Sequence, residues 1–275
     1  MQVHETAVVH EQARLGAGTE IGPYCVIGPN VVIGDDCRLH AHVVIQGDTT
    51  IGDRTEIWPF ASLGARPQDK KLRGVAVEGK LDIGRDNQLR EHVSISPGTP
   101  SGGGITRIGD NNMLLMGAHV GHDAQVGDNV VMTNGAMAAG HVIIEDHAVL
   151  GAMVGVHQFC RIGKLAMAGA GAMVPKDVPP YAMVHGDRAR IRGVNVVGMR
   201  RAGYADADVV TVKRVYRQLF WRTATMAERI QRVTELWGDN ELAQEILEFM
   251  RGSTRGVLTS RGKAHPDERE PSHGG

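Results

Sequence analysis

An aliphatic side chain recurs at every sixth position from the start of the chain: Val3, Val9, Leu15, Ile21, Ile27, Ile33, Leu39, Ile45, Ile51, Ile57 and Leu63. The register restarts at Ile83, Leu89 and Ile95, and again at Ile108, running through Leu114, Val120, Val126, Met132, Ala138, Ile144, Leu150, Val156, Ile162 and Ala168 to Val174. A period of six suits neither a helix of 3.6 residues per turn nor a simple alternating strand. It is the hexapeptide signature of a parallel β-helix, in which each hexad is a short strand plus a turn and three hexads close one triangular coil of about 18 residues. Such a prism has room inside only for small aliphatic side chains, and the chain has 36 glycines and only 4% aromatic residues. The right-handed rule for parallel crossovers would give one hand; the period itself carries none.

Two interruptions break the pattern. Residues 64–80, GARPQDKKLRGVAVEGK, and 97–104, PGTPSGGG, are rich in Gly, Pro and charge and read as loops ejected from the coil, building walls on one edge. Beyond Val174 the proline-rich PKDVPPY, 175–181, is expected to close the coil, followed by a connecting stretch to Gly203. Val209, Val212, Tyr216 and Leu219 then recur at helical spacing, with Asp206 or Asp208 as cap. Thr225 and Glu228 form a capping box ahead of Ile230, Val233 and Trp237, and a third helix carries Leu242, Ile246 and Phe249 before Gly252. The expected organisation is a mainly β domain over 1–185, a connecting stretch and small α-helical domain over 186–258, and a disordered polar tail over 259–275.

Charge is balanced, 30 Lys+Arg against 31 Asp+Glu, so nothing points to nucleic acid and a charged partner must meet a local patch. Arg188, Arg190, Arg192, Arg200 and Arg201, joined by Lys213, Arg214 and Arg217, make such a patch. Cys25, Cys37 and Cys160 are odd in number and lack CxxC spacing, which argues against disulfides and zinc and for a reducing, cytoplasmic setting. No secretory leader or membrane span is expected.

Most of the thirteen histidines sit in turns, where an imidazole is unremarkable. Val120, Ala138, Val156 and Val174 nevertheless share one column, and His119, His122, His141 and His157 cluster beside it on successive rungs about 4.8 Å apart. Stacking alone would also produce such a ladder. His122 is followed by Asp123, a carboxylate able to hold one ring nitrogen and leave the other free to take a proton. No serine or cysteine stands beside it as a nucleophile, so the simplest chemistry is direct attack of a substrate hydroxyl or amine on an activated acyl carbon. Gly140, one rung on, offers either an unobstructed N–H to an oxyanion or an ordinary tight turn.

The repeat, with AHVGHD at 118–123, AGHV at 139–142, VHQFCRIG at 156–163, PQDKK at 67–71, DVPPY at 177–181, GVNVVGMRR at 193–201 and STRGVL at 253–258, resembles the UDP-N-acetylglucosamine O-acyltransferases of lipid A biosynthesis over about residues 1–258. The resemblance implies a left-handed parallel β-helix, a 3-hydroxyacyl donor on acyl carrier protein, UDP-N-acetylglucosamine as acceptor, no cofactor or metal, and a homotrimer with sites between neighbouring coils. It implies His122 as general base oriented by Asp123, and Gly140 as oxyanion donor. Asp69, Lys71, His119, His141, His157, Gln158, Asn195 and Arg201 would line the substrate sites, and Gly169 and Ala170 the floor of the acyl pocket. The chain departs from the family at Ser96-Pro97-Gly98-Thr99, where HRGT is frequent, at Leu72, where an aromatic is common, and at Val197 and Ala202, which replace an acidic residue and an arginine. These departures bear on contacts to the nucleotide sugar and the carrier, and they leave room for an acceptor with an amine at the reacting carbon.

Three other readings stay open: a related hexapeptide N-acyltransferase acting on an amino-sugar nucleotide, a non-catalytic binding β-helix, and a carbonic-anhydrase-like enzyme holding zinc by three histidines.

Overall fold

The computed structural model describes residues 2–72, 74–75 and 78–260. Among the described residues short strands stack in register into three faces of eleven, nine and eight strands. All pairings are parallel except the last, so the architecture is a parallel β-helix. From Ile21 onward the hexad aliphatics point inward and are buried, the two weakest members, Ala138 and Ala168, included. At the N-terminal mouth Val3 is exposed and Val9 and Leu15 half-buried, because no rung covers them.

Corners are made in the left-handed backbone region, which only glycine enters without cost. Sixteen of the described non-glycine residues adopt it, among them Asp123, His141 and Phe159 at φ 60°, 61° and 64°. A staircase of carboxylates ties another edge together. Asp35 accepts from Ala17 N at 2.7 Å and Asp53 from Asp35 N at 2.9 Å; Asp110, Asp128 and Asp146 accept in the same way from Arg85, Asp110 and Asp128 N.

Both expected loops leave the coil between rungs: Leu63 pairs with Ile95 and Ile95 with Val120. The first carries a single helical turn, Lys70–Leu72, and ends one residue early, at the strand Lys80–Ile83. The coil does not close at the prolines. Val178 bridges to Ile162, and Ala182–His185 stacks on Met167–Ala168 before a hairpin returns through Arg190–Val194. The stretch expected to be a connection therefore extends the sheet by two strands and then forms helix α1, Val196–Arg201.

Helices α2, Asp206–Phe220, α3, Met226–Trp237, and α4, Glu241–Arg251, form the C-terminal domain. The cap of α2 is Ala205 rather than Asp206 or Asp208; Asp208 instead reaches back to accept from Ala205 N at 3.0 Å. Thr225 and Glu228 make the expected box, and Val209, Val212, Tyr216, Leu219, Val233, Ile246 and Phe249 are buried. Asp177, wholly buried, joins the domain to the coil by accepting from Arg161 N at 2.8 Å and Ser253 Oγ at 2.6 Å. Of the expected tail, Thr259 accepts from Ile191 N and Ser260 donates to Phe220 O; residues 261–275 lie outside the described residues. The three cysteines are unpaired and buried, and burial pushes the Cys160 thiol up to about 11. Among the described residues no helix is long and apolar enough to cross a membrane.

Candidate active site

The corner that follows the strands His119–Val120, Met137–Ala138 and Gly155–Val156 gathers the chemistry. Register pairs Val120 with Ala138 and Ala138 with Val156, so His122 lies one rung from Gly140 and Asp123 one rung from His141. Asp123 is 5% exposed, and its Oδ2 lies 2.8 Å from His122 Nδ1. Burial alone would push its carboxyl up; hydrogen bonds from His122 and from the N–H and hydroxyl of Thr99 outweigh it and hold the group below the usual carboxylate range. With an ionised carboxylate on Nδ1, the neutral imidazole carries its proton there and presents Nε2 as the basic nitrogen.

Nε2 projects over Gly140. A Cβ on that residue would fall 2.8 Å from His122 Nε2 and Cε1, so the imidazole occupies the space a side chain would need. Among the described residues no acceptor takes the Gly140 N–H. A basic nitrogen and a free donor thus face one volume, the geometry that proton removal and oxyanion stabilisation require.

That volume is a cleft of about 600 Å³ lined by His119, Gly121, His122, Gly140 and His157, with an apolar wall from Met137, Gly155, Val156, Met173 and Val174. Gln68 from the first loop and Asp187 and Arg188 from the hairpin turn complete it. His119 Nδ1 lies 2.8 Å from Ser94 Oγ; burial lowers its pKa, His122 adds to the lowering, and a hydrogen bond with the Ser94 backbone counters it only in part. His141 stands behind His122, ring edge to face at 5.1 Å, and stacks on Phe159 at 4.3 Å. Burial lowers its pKa against the pull of Asp123, His122 adds to the lowering, and Asp69 and Lys71 of the first loop act on it with opposite signs. Asp69 itself accepts from Lys71 N at 2.9 Å.

Other expected site residues behave differently. His157 is exposed at the rim, where Arg255 Nη2 approaches its Nδ1 at 3.1 Å; Gln158 is exposed beside it. Asn195 caps α1: its Oδ1 accepts from Gly198 N and its Nδ2 donates to Leu165 O, both at 2.9 Å, so its amide is spent on the fold. Arg201 is exposed in the last turn of α1, and neither it nor Gly169 or Ala170 lines the cleft of its own chain. Gly169 is packed against His185, whereas Ala170 is exposed on the turn that leads into Met173–Val174. Thr99, Ser94, Arg255 and the methionine wall were not singled out in the sequence; two had a signal, Thr99 as the one residue of the HRGT pattern besides glycine that this chain keeps, and Arg255 within the STRGVL motif.

The sequence predicts no acidic residue at metal-ligand spacing among the histidines, yet the donor atoms of His122, Asp123 and His141 lie within 4.8 Å of one another. Three donors already hold the Asp123 carboxylate, Thr99 N on Oδ1 and Thr99 Oγ1 and His122 Nδ1 on Oδ2.

Comparison with known proteins gives one consistent result. The family described as UDP-N-acetylglucosamine O-acyltransferase, domain 2, matches residues 177–258, and the bacterial transferase hexapeptide family matches 30–65 and 105–140. An acyl-[acyl-carrier-protein]–UDP-N-acetylglucosamine O-acyltransferase from Myxococcus xanthus is 46% identical over 257 residues, 93% of this chain and 98% of that protein. One from Sinorhizobium fredii is 41% identical over 94% of this chain and 95% of its own. The crystal structure of the Francisella novicida UDP-N-acetylglucosamine acyltransferase superposes with a TM-score of 0.90 at 37% identity, covering 94% of each chain. That from Moraxella catarrhalis gives 0.89 at 36% identity over 94% of this chain and all of its own. With fold, length and C-terminal domain shared throughout, the β-helix is left-handed, and the chain belongs to the UDP-N-acetylglucosamine O-acyltransferase family.

Proposed function

We propose that this enzyme moves a 3-hydroxyacyl chain from acyl carrier protein to the 3-hydroxyl of UDP-N-acetylglucosamine, the first step of lipid A biosynthesis. The observation that carries this reading is the buried Asp123–His122 pair, with Nε2 and the free Gly140 N–H facing one partly apolar cleft. His122 Nε2 removes the proton of the sugar hydroxyl as its oxygen attacks the thioester carbonyl carbon. The Gly140 N–H donates a hydrogen bond to the developing oxyanion, and collapse breaks the C–S bond. The imidazolium returns its proton to the departing carrier thiolate, giving an ester and a free thiol. No acyl-enzyme is formed.

Met137, Val156, Met173 and Val174 suit an alkyl chain; His119, His141, His157, Gln158, Asp69 and Lys71 supply donors and acceptors for the sugar and the carrier arm. Arg201, Gly169 and Ala170 enter this reading through a neighbouring copy, in a homotrimer with sites between coils, while Asn195 acts through the start of α1. A carrier-bound donor and three unpaired thiols fit a cytoplasmic enzyme.

Incubation with 3-hydroxyacyl carrier protein and either UDP-N-acetylglucosamine or its 3-amino analogue tests the reading. O-acylation is expected, reduced about 10²–10⁴-fold in His122→Ala and less in Asp123→Asn. Preference for the amine, or near-normal turnover by His122→Ala, would overturn it.

A further inference from the structure

The glycine-rich loop at 97–104 does more than leave the coil. Thr99, 1% exposed, donates its N–H to Asp123 Oδ1 at 2.8 Å and its hydroxyl to Asp123 Oδ2 at 2.7 Å. Its carbonyl accepts from Gly102 N and Gly104 N, both at 3.0 Å, which curls the loop back over the carboxylate. Gly102 packs so closely that a Cβ there would lie 2.1 Å from Asp123 Oδ2 and 2.5 Å from His141 Cε1. Thr106 Oγ1 accepts from Asp123 N at 2.8 Å and holds the backbone from below.

An aspartate carboxyl turns easily, since its terminal torsion has broad wells. Two imidazoles compete for this one: His122 Nδ1 at 2.8 Å and His141 Nε2 at 3.9 Å, both reaching Oδ2. Of the roughly four acceptor directions of a carboxylate, Thr99 takes one on each oxygen, leaving Oδ2 aimed at His122.

We propose that Thr99 is a positioning residue, which by gripping both carboxylate oxygens assigns Asp123 to His122 rather than to His141. The proposal rests on the reading of His122 as the base. The groups facing Asp123 are His122 and His141, the latter influenced in turn by Asp69 and Lys71. Without the hydroxyl the carboxylate loses a donor that favours its charged form, turns towards His141, and leaves His122 free to take the unproductive tautomer.

Thr99→Val keeps size and the backbone donor but deletes the hydroxyl. It should lower kcat about 10- to 100-fold, the size of one hydrogen bond to a charged group, with KM for both substrates unchanged and the acid limb of the kcat profile moved to lower pH, because the imidazolium of the base loses the carboxylate that stabilises it. Thr99→Ser should recover most of the loss. Circular dichroism and calorimetric binding of UDP-N-acetylglucosamine verify that each variant is folded. Wild-type kcat and pH profile in folded Thr99→Val, or a Thr99→Ser as impaired as Thr99→Val, would overturn the proposal. Nitrogen-15 NMR of the wild-type imidazoles is a test that needs no variant: the His122 proton should reside on Nδ1, and an Nε2–H tautomer there would also overturn it. An active His122→Ala would instead defeat the base assignment itself, so the two failures are distinguishable.

Discussion

His122 and Gly140 face each other across one rung so closely that the first carbon of any side chain at 140 would sit 2.8 Å from the imidazole Nε2. Gly140 lies outside the left-handed backbone region, so alanine is tolerated by the main chain and the ring must move instead. Gly140→Ala should leave melting nearly unchanged while lowering kcat about 10²-fold or more, because the proposed base and the proposed oxyanion donor are disturbed together. A folded variant with full kcat would show that the imidazole does not work from this position.

Low pH should destabilise the protein in two separate windows. His119 and His141 have lowered pKa values, chiefly through burial. Below about pH 6.5 the unfolded chain therefore binds protons that the folded chain resists, and stability falls as pH falls. Asp123, also lowered, contributes stability that is present above about pH 4 and lost only below it. Melting between pH 7 and 5 should be flatter for the double variant His119→Gln/His141→Asn, asparagine being suited to the φ of 61° at 141. Parallel melting curves would refute the assignment.

Arg214, Arg217, Arg222 and Arg232 line a groove between α2 and α3 with Gln218 and Trp237. Arg200 from the expected basic patch is instead paired with Asp206, and Arg188 lines the cleft. If the groove receives the acidic carrier, KM for the carrier-bound donor should rise with salt, and Arg214→Gln/Arg217→Gln should raise it with kcat preserved. KM for the nucleotide sugar is the internal control.

Gly155 is the one position on the cleft's strand face without a side chain, between Met137 and Met173. A Cβ there would meet Met173 Sδ at 2.8 Å, and the flexible thioether must yield into the cleft. Gly155→Ala should favour shorter donors by about one methylene, roughly 0.8 kcal/mol. Donors differing by two carbons read the shift, and an unchanged profile would put the alkyl chain elsewhere.

The coil was legible because each inward aliphatic is repeated on the next rung, so the period is written many times over. The histidine corner followed from the same count, as Val120, Ala138 and Val156 fix where His122, Gly140 and His157 fall. What escaped depends on paths that no period governs. The loop that brings Thr99 onto Asp123 is a tertiary excursion, and Ala182–His185 is reached by a step that skips the hexad count after two prolines. Asn195 illustrates a different ambiguity: an asparagine ahead of a helix serves equally as cap or ligand, and only the positions of Leu165 O and Gly198 N distinguish them.

The carboxylate staircase and the stacked rungs also set where the chain tolerates changes of length. Partners one rung apart are normally 18 residues apart, but Leu63 and Ile95 are 32 apart and Ser94 and His119 are 25 apart, with the pairing undisturbed on either side. Whole segments can thus be inserted at a corner provided the chain re-enters at the same phase. Deleting a single residue within a rung would shift every later side chain by one place, sending aliphatics outward and carboxylates off their amides. Variation in length is confined to corners such as those at 64 and 97, and the loops that cover the site arise at those same corners.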